Sequence, residues 1–548
     1  MIRQEIRQAI VAAAKQRFGK IEVPDFSVEA PENTGYGDYA TNIALILAKV
    51  LSARGGSALG GKKPPMEIAR DLVAQLTTYD LQLTTKIEVA TPGFINFHIS
   101  EKALWSELAE ILKKKDKYGA GAKKKEKIQV EFISANPTGP LTLANGRGGF
   151  LGDVLARVLK CSGFQVEREY YINDAGNQVR TLGLSMLAAA ELAPEAEEYY
   201  RGPHIVRWAK RNEGFLKKNK DDHEKIGRKA ADYFLSALIR PAVEKKMKII
   251  FDRWTSEYKD IREKKFVEKA VKIFQKKGLA YDKEGAVWLK TTEFGDDKDR
   301  VLMTSDGFPT YFLVDAGHYL ATQERGFSKI NIVGADHHGY VSRIQAVAKI
   351  LGLKKSEVIV MQLVRLLRAG KEVRMSKRKG LFVTIDELID EVGLDAARYF
   401  FLEKSPDTHM DFNLDLAKER SVKNPVYYIQ YAHARMASIF RKIKNQKSKA
   451  KSTSQKLKLL KEAEESTLIK KLIQFPEVVD DTARDYQVNR LTRYAYELAR
   501  AFNNFYEKQR VITDDKEITA SRLALVAASQ IVLQKTLGFL GISAPAKM

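Results

Sequence analysis

Between residues 127 and 160 the spacing of apolar residues changes period. Ile128, Val130 and Phe132 alternate with Gln129 and Glu131, which predicts a strand. Asn136-Pro137-Thr138-Gly139-Pro140 must break it. Phe150, Leu151, Val154, Leu155, Val158 and Leu159 then recur at helical spacing. A strand, a turn and a glycine-rich helix start leave backbone N–H groups free to hold an anion. Thr142-Leu143-Ala144-Asn145 lie at the centre of that unit.

The same patterning organises the rest of the chain. Ile2, Ile6, Ile10 and Phe18 mark one face of a first helix. Asp38 is placed to cap a helix over 40–50, and 89–99 alternates as a strand. Residues 113–127, lysine-rich with Tyr118-Gly119-Ala120-Gly121, read as a linker. Further strands are predicted at 168–173 and 329–334. Strands alternating with helices imply a parallel, doubly wound, Rossmann-like sheet. A charged, largely helical stretch from about 190 to 300 reads as an insertion into it. From about 385 the pattern is helical to the end, apart from a Lys/Ser-rich break at 442–461. The fold class is therefore multidomain α/β: an α+β unit over 1–112, a parallel-sheet domain over 128–384, a connecting segment over 385–420, and an all-α unit over 421–548.

Composition narrows the class. A length of 548 residues suits roughly three to four domains. An apolar content of 44% excludes wholesale disorder. No apolar run approaches the ~18 residues that span a bilayer. Arg3 and Arg7 suit a transit peptide, but Glu5 and the patterned sequence after it favour an ordinary helix. The single cysteine, Cys161, excludes a disulfide framework and a multi-cysteine zinc site. A soluble cytoplasmic protein is expected, with no membrane partner. The net charge of +23, from 92 Lys+Arg against 69 Asp+Glu, favours a polyanionic partner such as nucleic acid.

Two familiar nucleotide motifs are excluded by position. Gly56 to Lys63 resembles a phosphate-binding loop, but Lys63 replaces the Ser/Thr that would bind Mg²⁺, and Pro64-Pro65 blocks a following helix. Gly146, Gly148 and Gly152 miss the dinucleotide spacing by one residue and begin a dozen residues beyond the strand. Asp336-His337-His338 follows a strand, where ligands bind in such sheets, although adjacent histidines diverge too much to share a metal. Arg374-Met375-Ser376-Lys377-Arg378 forms a basic loop suited to clamping a pyrophosphate.

Together these segments resemble the class I aminoacyl-tRNA synthetases, and within them the bacterial arginyl-tRNA synthetase family. The resemblance runs through VEFISANPTGP (130–140), REYYINDAGNQ (168–178), PTYFLVDAGHYL (309–320), GADHHGYVSR (334–343), RMSKRKG (374–380) and NPVYYIQYAHAR (424–435). It continues at both ends, in GDYATNIALILAK (37–49), PGFINF (92–97) and 522–548. It implies an N-terminal tRNA-binding domain and a C-terminal anticodon-binding domain. The implied reaction forms arginyl-adenylate from L-arginine and ATP with Mg²⁺, then passes arginine to tRNA(Arg). No protein-bound zinc is implied, and a monomer is expected.

The resemblance also implies site residues. Glu131, Asp315 and Tyr311 would hold the guanidinium, and Ser134 and Asn136 the α-amino and carboxylate end. ATP would lie against Thr142, Leu143, Ala144, Asn145 and Gly146, the loop with Gly334, Asp336 and His337, and Met375, Ser376, Lys377 and Arg378. Thr142, Asn145 and Lys377 would be catalytic. Tyr427, Tyr428, Tyr431, His433, Arg435 and Met548 would meet tRNA. The class carries two histidines at 142 and 145; here Thr and Asn keep neutral donors. This departure motivates the alternative of a catalytically impaired, tRNA-binding paralogue.

Overall fold

The computed structural model describes residues 1–19, 21–31, 33–53, 63–78, 83–373, 383–444 and 454–548. Most of the loop resembling a phosphate-binding motif, the whole basic loop after Val373 and the middle of the Lys/Ser-rich break lie outside the described residues.

The predicted parallel sheet is present. Its five strands are β1 (Lys127–Glu131), β2 (Gln165–Ile172), β3 (Arg253–Ser256), β4 (Phe327–Gly334) and β5 (Ser356–Met361). They lie in the order β5-β4-β1-β2-β3, every pair parallel. The order reverses at β1, so its carboxyl end opens on the crevice where doubly wound sheets hold ligands.

Both faces of β1 are buried, for different reasons. Ile128, Val130, Phe132, Ile330 and Ile332 pack with Phe150, Val154 and Leu155 of helix α1 (Leu143–Cys161). The helix lies close because Gly152 has no side chain: a Cβ there would sit 2.2 Å from the Phe132 ring. The opposite face is polar. Register aligns Lys329, Gln129 and Glu167 across β4, β1 and β2, and Asn331, Glu131 and Glu169 beside them. Helix α2 (Tyr311–Glu324) covers that face, and its Thr322 donates to Gln129 at 3.0 Å. The alternation predicted for β1 is real, but its polar side faces a buried polar layer rather than water.

Several expected boundaries are corrected. Residues 39–41 form a strand, and the helix begins at Ile43. Asp38 caps nothing there: its carboxylate accepts from the amide of Ile99 at 2.8 Å and pairs with Lys470 at 2.7 Å. The single strand expected at 89–99 is two antiparallel ones, Thr84–Ala90 and Phe94–Ile99, turning at Pro92-Gly93. The expected linker is partly folded: the helix Glu101–Lys114 enters it and Tyr118 is buried. The expected insertion holds β3 itself and an antiparallel sheet of Ala280–Lys283, Ala286–Leu289 and Arg300–Met303. Among the described residues after 385 the elements are helices and one strand, Met410–Asn413, which pairs parallel with Val364–Arg368.

The C-terminal unit stacks the helices Pro425–Lys444, Ala463–Ile473, Phe475–Asp485, Asn489–Lys508 and Lys516–Leu540. The last has the length and apolarity to cross a bilayer, and 67% of that stretch is buried inside the protein. Two buried polar contacts join the units. Glu477 accepts from Tyr39 Oη at 2.9 Å and from the amide of Arg3 at 3.3 Å, fastening the first helix to the helical unit. Arg398, fully buried, donates to Leu540 O at 2.7 Å, to Met247 O at 2.9 Å and to Asp153 of α1.

Candidate active site

The chain leaves β1 through an unusual turn. Ile133 and Ser134 both take positive φ, 66° and 39°. Such backbone costs about 1–3 kcal/mol per non-glycine residue and clusters at functional sites. The turn carries Ser134 back over the strand it has left. Its Oγ donates to Glu131 Oε1 at 3.0 Å and accepts from the amide of Tyr171 at 3.1 Å. Ser134 therefore orients Glu131. Asn136 lies further along the turn, half-buried.

Glu131 itself is only 8% exposed. Its Oε2 accepts from Asn331 Nδ2 at 3.0 Å and faces Lys329 Nζ at 3.0 Å. Lys329 is wholly buried, and also bonds Glu169 Oε2 at 2.9 Å and Gln129 Oε1 at 2.8 Å. Burial alone would lower its pKa, but Glu131 and Glu169 raise it on balance. Burial pushes the Glu169 carboxyl up, yet Lys329 and His318 hold it well below the usual range. His318 lies 3.0 Å from Glu169 and stacks on Tyr171 with ring centres 4.3 Å apart. The sequence reading missed Lys329, Glu169, His318 and Asn331. The signal for Lys329, Glu169 and Asn331 was alternate polar residues in strands central to a parallel sheet, which ordinarily read as continuous apolar runs; His318, on α2, gave no such signal.

Asp315 lies one turn into α2. Burial pushes its carboxyl up to about 7, with Glu257 and Glu131 adding to the rise. The Tyr340 hydroxyl, bonded to it, and His318 act the other way. Tyr311, four residues earlier, begins α2 and is 53% exposed. Asp315 thus lies near enough to Glu131 for the two carboxylates to repel, and Tyr311 begins the same helix with about half its surface exposed. That arrangement suits a planar cation with several N–H donors.

At the start of α1, Thr142 is the N-cap. Its amide and its hydroxyl both donate to Asn145 Oδ1, each at 2.9 Å. Leu143 is buried and Ala144 exposed. Gly146 does not present a free amide, because its N–H bonds Thr142 O at 3.1 Å. Its Cα packs against Ile385, where a Cβ would come within 2.4 Å. Gly146 and Gly148 are thus packing glycines, each with a side chain seated where a Cβ would be. Gly334 ends β4, Asp336 is exposed, and 335–340 continue as a 3-10 helix. The side chain of His337, and Met375, Ser376, Lys377 and Arg378, lie outside the described residues.

The residues expected to meet tRNA separate into two groups. Tyr431, Arg435 and Met548 line a cleft of about 770 Å³ with Arg441, Arg510 and Lys547. Arg435 donates to Asn503 at 3.0 Å and packs over the rings of Tyr431 and Tyr506 at 4.7 and 4.9 Å. Tyr427 stacks beside Tyr431, ring centres 6.3 Å apart. His433 is a correction: it is 3% exposed and its Nδ1 lies 2.9 Å from Pro545 O, so it holds the C-terminal tail. Tyr428 is half-buried against Tyr496. His433 is thus buried within the helical unit, and Tyr428 keeps part of its surface exposed.

Comparison with known proteins places the chain in a family. Three family models match in chain order: the arginyl tRNA synthetase N terminal domain over residues 1–99, the class I (R) tRNA synthetase catalytic domain over 107–440, and the DALR anticodon binding domain over 429–548. An arginine–tRNA ligase of Listeria monocytogenes is 43% identical over 560 residues, covering 100% of this chain and 98% of its own. One from Citrifermentans bemidjiense is 44% identical over 542 residues, covering 96% of each. The fold is that of Thermus thermophilus arginyl-tRNA synthetase, with a TM-score of 0.80 over 100% of both chains at 22% identity. Matched from end to end and in every domain, the chain belongs to the arginyl-tRNA synthetase family.

Proposed function

We propose that this protein ligates L-arginine to tRNA(Arg) in two steps. The arginine carboxylate attacks the α-phosphate of ATP, giving arginyl-adenylate and pyrophosphate. A hydroxyl of the terminal ribose of tRNA then takes the arginyl group and AMP leaves. The observation that carries this reading is the pair of carboxylates, Glu131 and Asp315, at the carboxyl edge of the sheet beside the switch in strand order.

In this reading Glu131 and Asp315 share the guanidinium, and Tyr311 closes over it. Ser134 holds Glu131 in place, and Asn136 faces the α-amino and carboxylate end. ATP enters as its Mg²⁺ complex between the 142–145 turn and the loop after Gly334. Asn145 donates to the phosphates, and Lys377 meets charge developing on the leaving pyrophosphate. The cationic cleft of Tyr431, Arg435 and Met548 takes anticodon bases by stacking and by charge. The enzyme works as a cytoplasmic monomer, which sedimentation of the purified protein tests.

Charging of tRNA with radiolabelled arginine tests the whole reading. Arginine-specific charging that is strongly weakened, through a raised KM for arginine, in Glu131→Gln and Asp315→Asn is expected. Intact tRNA binding without charging by the native protein would overturn it in favour of a tRNA-binding paralogue.

A further inference from the structure

The cluster beneath Glu131 has the spacing of a metal site. Glu131, Glu169 and His318 offer ligand atoms that all lie within 4.8 Å of one another. The ammonium of Lys329 fills the position a cation would take. Its three protons match three acceptors: Gln129 Oε1 at 2.8 Å, Glu169 Oε2 at 2.9 Å and Glu131 Oε2 at 3.0 Å. His318 Nε2, 3.2 Å from the ammonium, is then left to donate its own proton to Glu169.

This fixes which part of Glu131 remains for a ligand. Oε2 is taken by Lys329 and Asn331. Oε1 accepts from Ser134 alone among the described residues, leaving one lone-pair direction. Without the ammonium, two buried carboxyl groups would stand within 4.8 Å and share a proton. A proton held there, on the Oε2 side, would leave Oε1 a neutral carbonyl oxygen. Such an oxygen still accepts an N–H but lacks the charge that favours a guanidinium over a neutral urea.

We propose that Lys329 is a positioning residue that sets substrate specificity: by standing between Glu131 and Glu169 it keeps Glu131 a charged acceptor, so the pocket takes arginine and rejects its neutral isostere citrulline. The inference rests on the assignment of Glu131 to the guanidinium. Removing the ammonium should weaken arginine and admit citrulline, with little effect on ATP.

The experiment measures charging kinetics in the full-length enzyme with tRNA, using arginine and ATP as substrates and citrulline as inhibitor. Lys329→Gln, similar in volume, should raise the KM for arginine at least about tenfold, the factor for 1.4 kcal/mol. The KM for ATP should stay within about twofold, and citrulline should inhibit more strongly relative to arginine. In Lys329→Gln/Glu169→Gln the competing carboxyl is gone, and much of the arginine affinity should return. A purely structural role for Lys329 would move arginine and ATP together and would not be rescued.

Glu131→Gln separates the two ideas. If it leaves the arginine KM unchanged, the guanidinium assignment falls and this inference with it. If it raises that KM while Lys329→Gln changes neither arginine nor citrulline, only the role of Lys329 is overturned. Should Lys329→Gln fail to fold, Glu169→Gln decides. With Lys329 left wholly to Glu131, its arginine KM should stay within about threefold of native. A rise equal to that of Glu131→Gln would refute the role.

Discussion

Thr142 gives both its backbone N–H and its hydroxyl to one atom, Oδ1 of Asn145, at 2.9 Å each. An amide N–H can only donate, so the Asn145 oxygen is fixed as the acceptor and its NH₂ group is left as the donor. The two residues that replace the class histidines therefore divide the work. One oxygen holds the helix start, and one nitrogen remains for a ligand.

Two substitutions separate these jobs. Asn145→Asp keeps the acceptor and the cap, so the melting temperature should hold. It removes the donor and adds charge toward the phosphates, so kcat should fall roughly a hundredfold or more. Asn145→Ala should lose about 1 kcal/mol of stability as well as activity. Equal melting losses in both would show that the cap does not depend on that oxygen. Placing histidine at both positions removes the cap, so that variant should melt earlier than the native protein.

The raised carboxyl of Asp315 predicts a pH profile. Only its ionised form attracts a guanidinium, and in the free enzyme it ionises at about 7. The kcat/KM for arginine should therefore fall about tenfold per pH unit below 7 and level off above it. The guanidinium does not titrate in this range. Asp315→Asn should be weak and flat, and a native profile without a step near 7 would count against Asp315 as a ligand.

Glu477 makes stability depend on pH at the junction between the first helix and the helical unit. Burial pushes its carboxyl up to about 7, with Asp481 adding and Arg3 and Tyr39 opposing. The folded protein thus holds a proton that the unfolded chain has released above about 4.5. The stabilisation is full below that value and is lost as pH rises through 7. It amounts to at most on the order of 3 kcal/mol. Glu477→Gln should match the native protein near pH 5 and melt above it at pH 8. Parallel melting curves for the two proteins across that range would refute the linkage.

Arg435 and His433 lie two residues apart and should behave differently. Arg435→Ala removes a cation from the cleft, so tRNA affinity should drop and its dependence on log salt should flatten by about one unit. His433→Ala removes the clamp on Pro545 and should lower stability while leaving the salt slope alone. A changed slope for His433→Ala would place that histidine against phosphate.

How far the chain could be read from its residues follows from what each pattern reports. Helix α1 and strand β1 were visible because each presents one apolar face to one core, the strand at period two and the helix at helical spacing. The polar face of β1 was visible too, but alternation does not distinguish water from a buried partner. Gln129 and Glu131 lie opposite Lys329 and Asn331 only because β4, some 200 residues away, docks beside β1 in that register. Strand β3 was hidden for another reason. Its four residues, Arg253–Ser256, sit among charged helices and carry no alternation long enough to register. The family resemblance supplied Asp315 and Tyr311 and said nothing of Lys329. Asp38 failed as a cap because the sheet partner of residues 39–41 comes from 94–99, outside any local window.

Arg398 bears on how this protein can be dissected. Its guanidinium is satisfied at once by the catalytic helix, by Met247 and by the last carbonyl of the C-terminal helix. Gly541 lies so close that a Cβ there would come within 2.4 Å of it. Any truncation that removes the final helix strips one partner from a cation with no access to water. Catalytic and helical halves expressed apart would each carry a wound at this point, so neither fragment is a fair proxy for its behaviour in the whole. Questions about what each half contributes are better put to point variants of the intact chain.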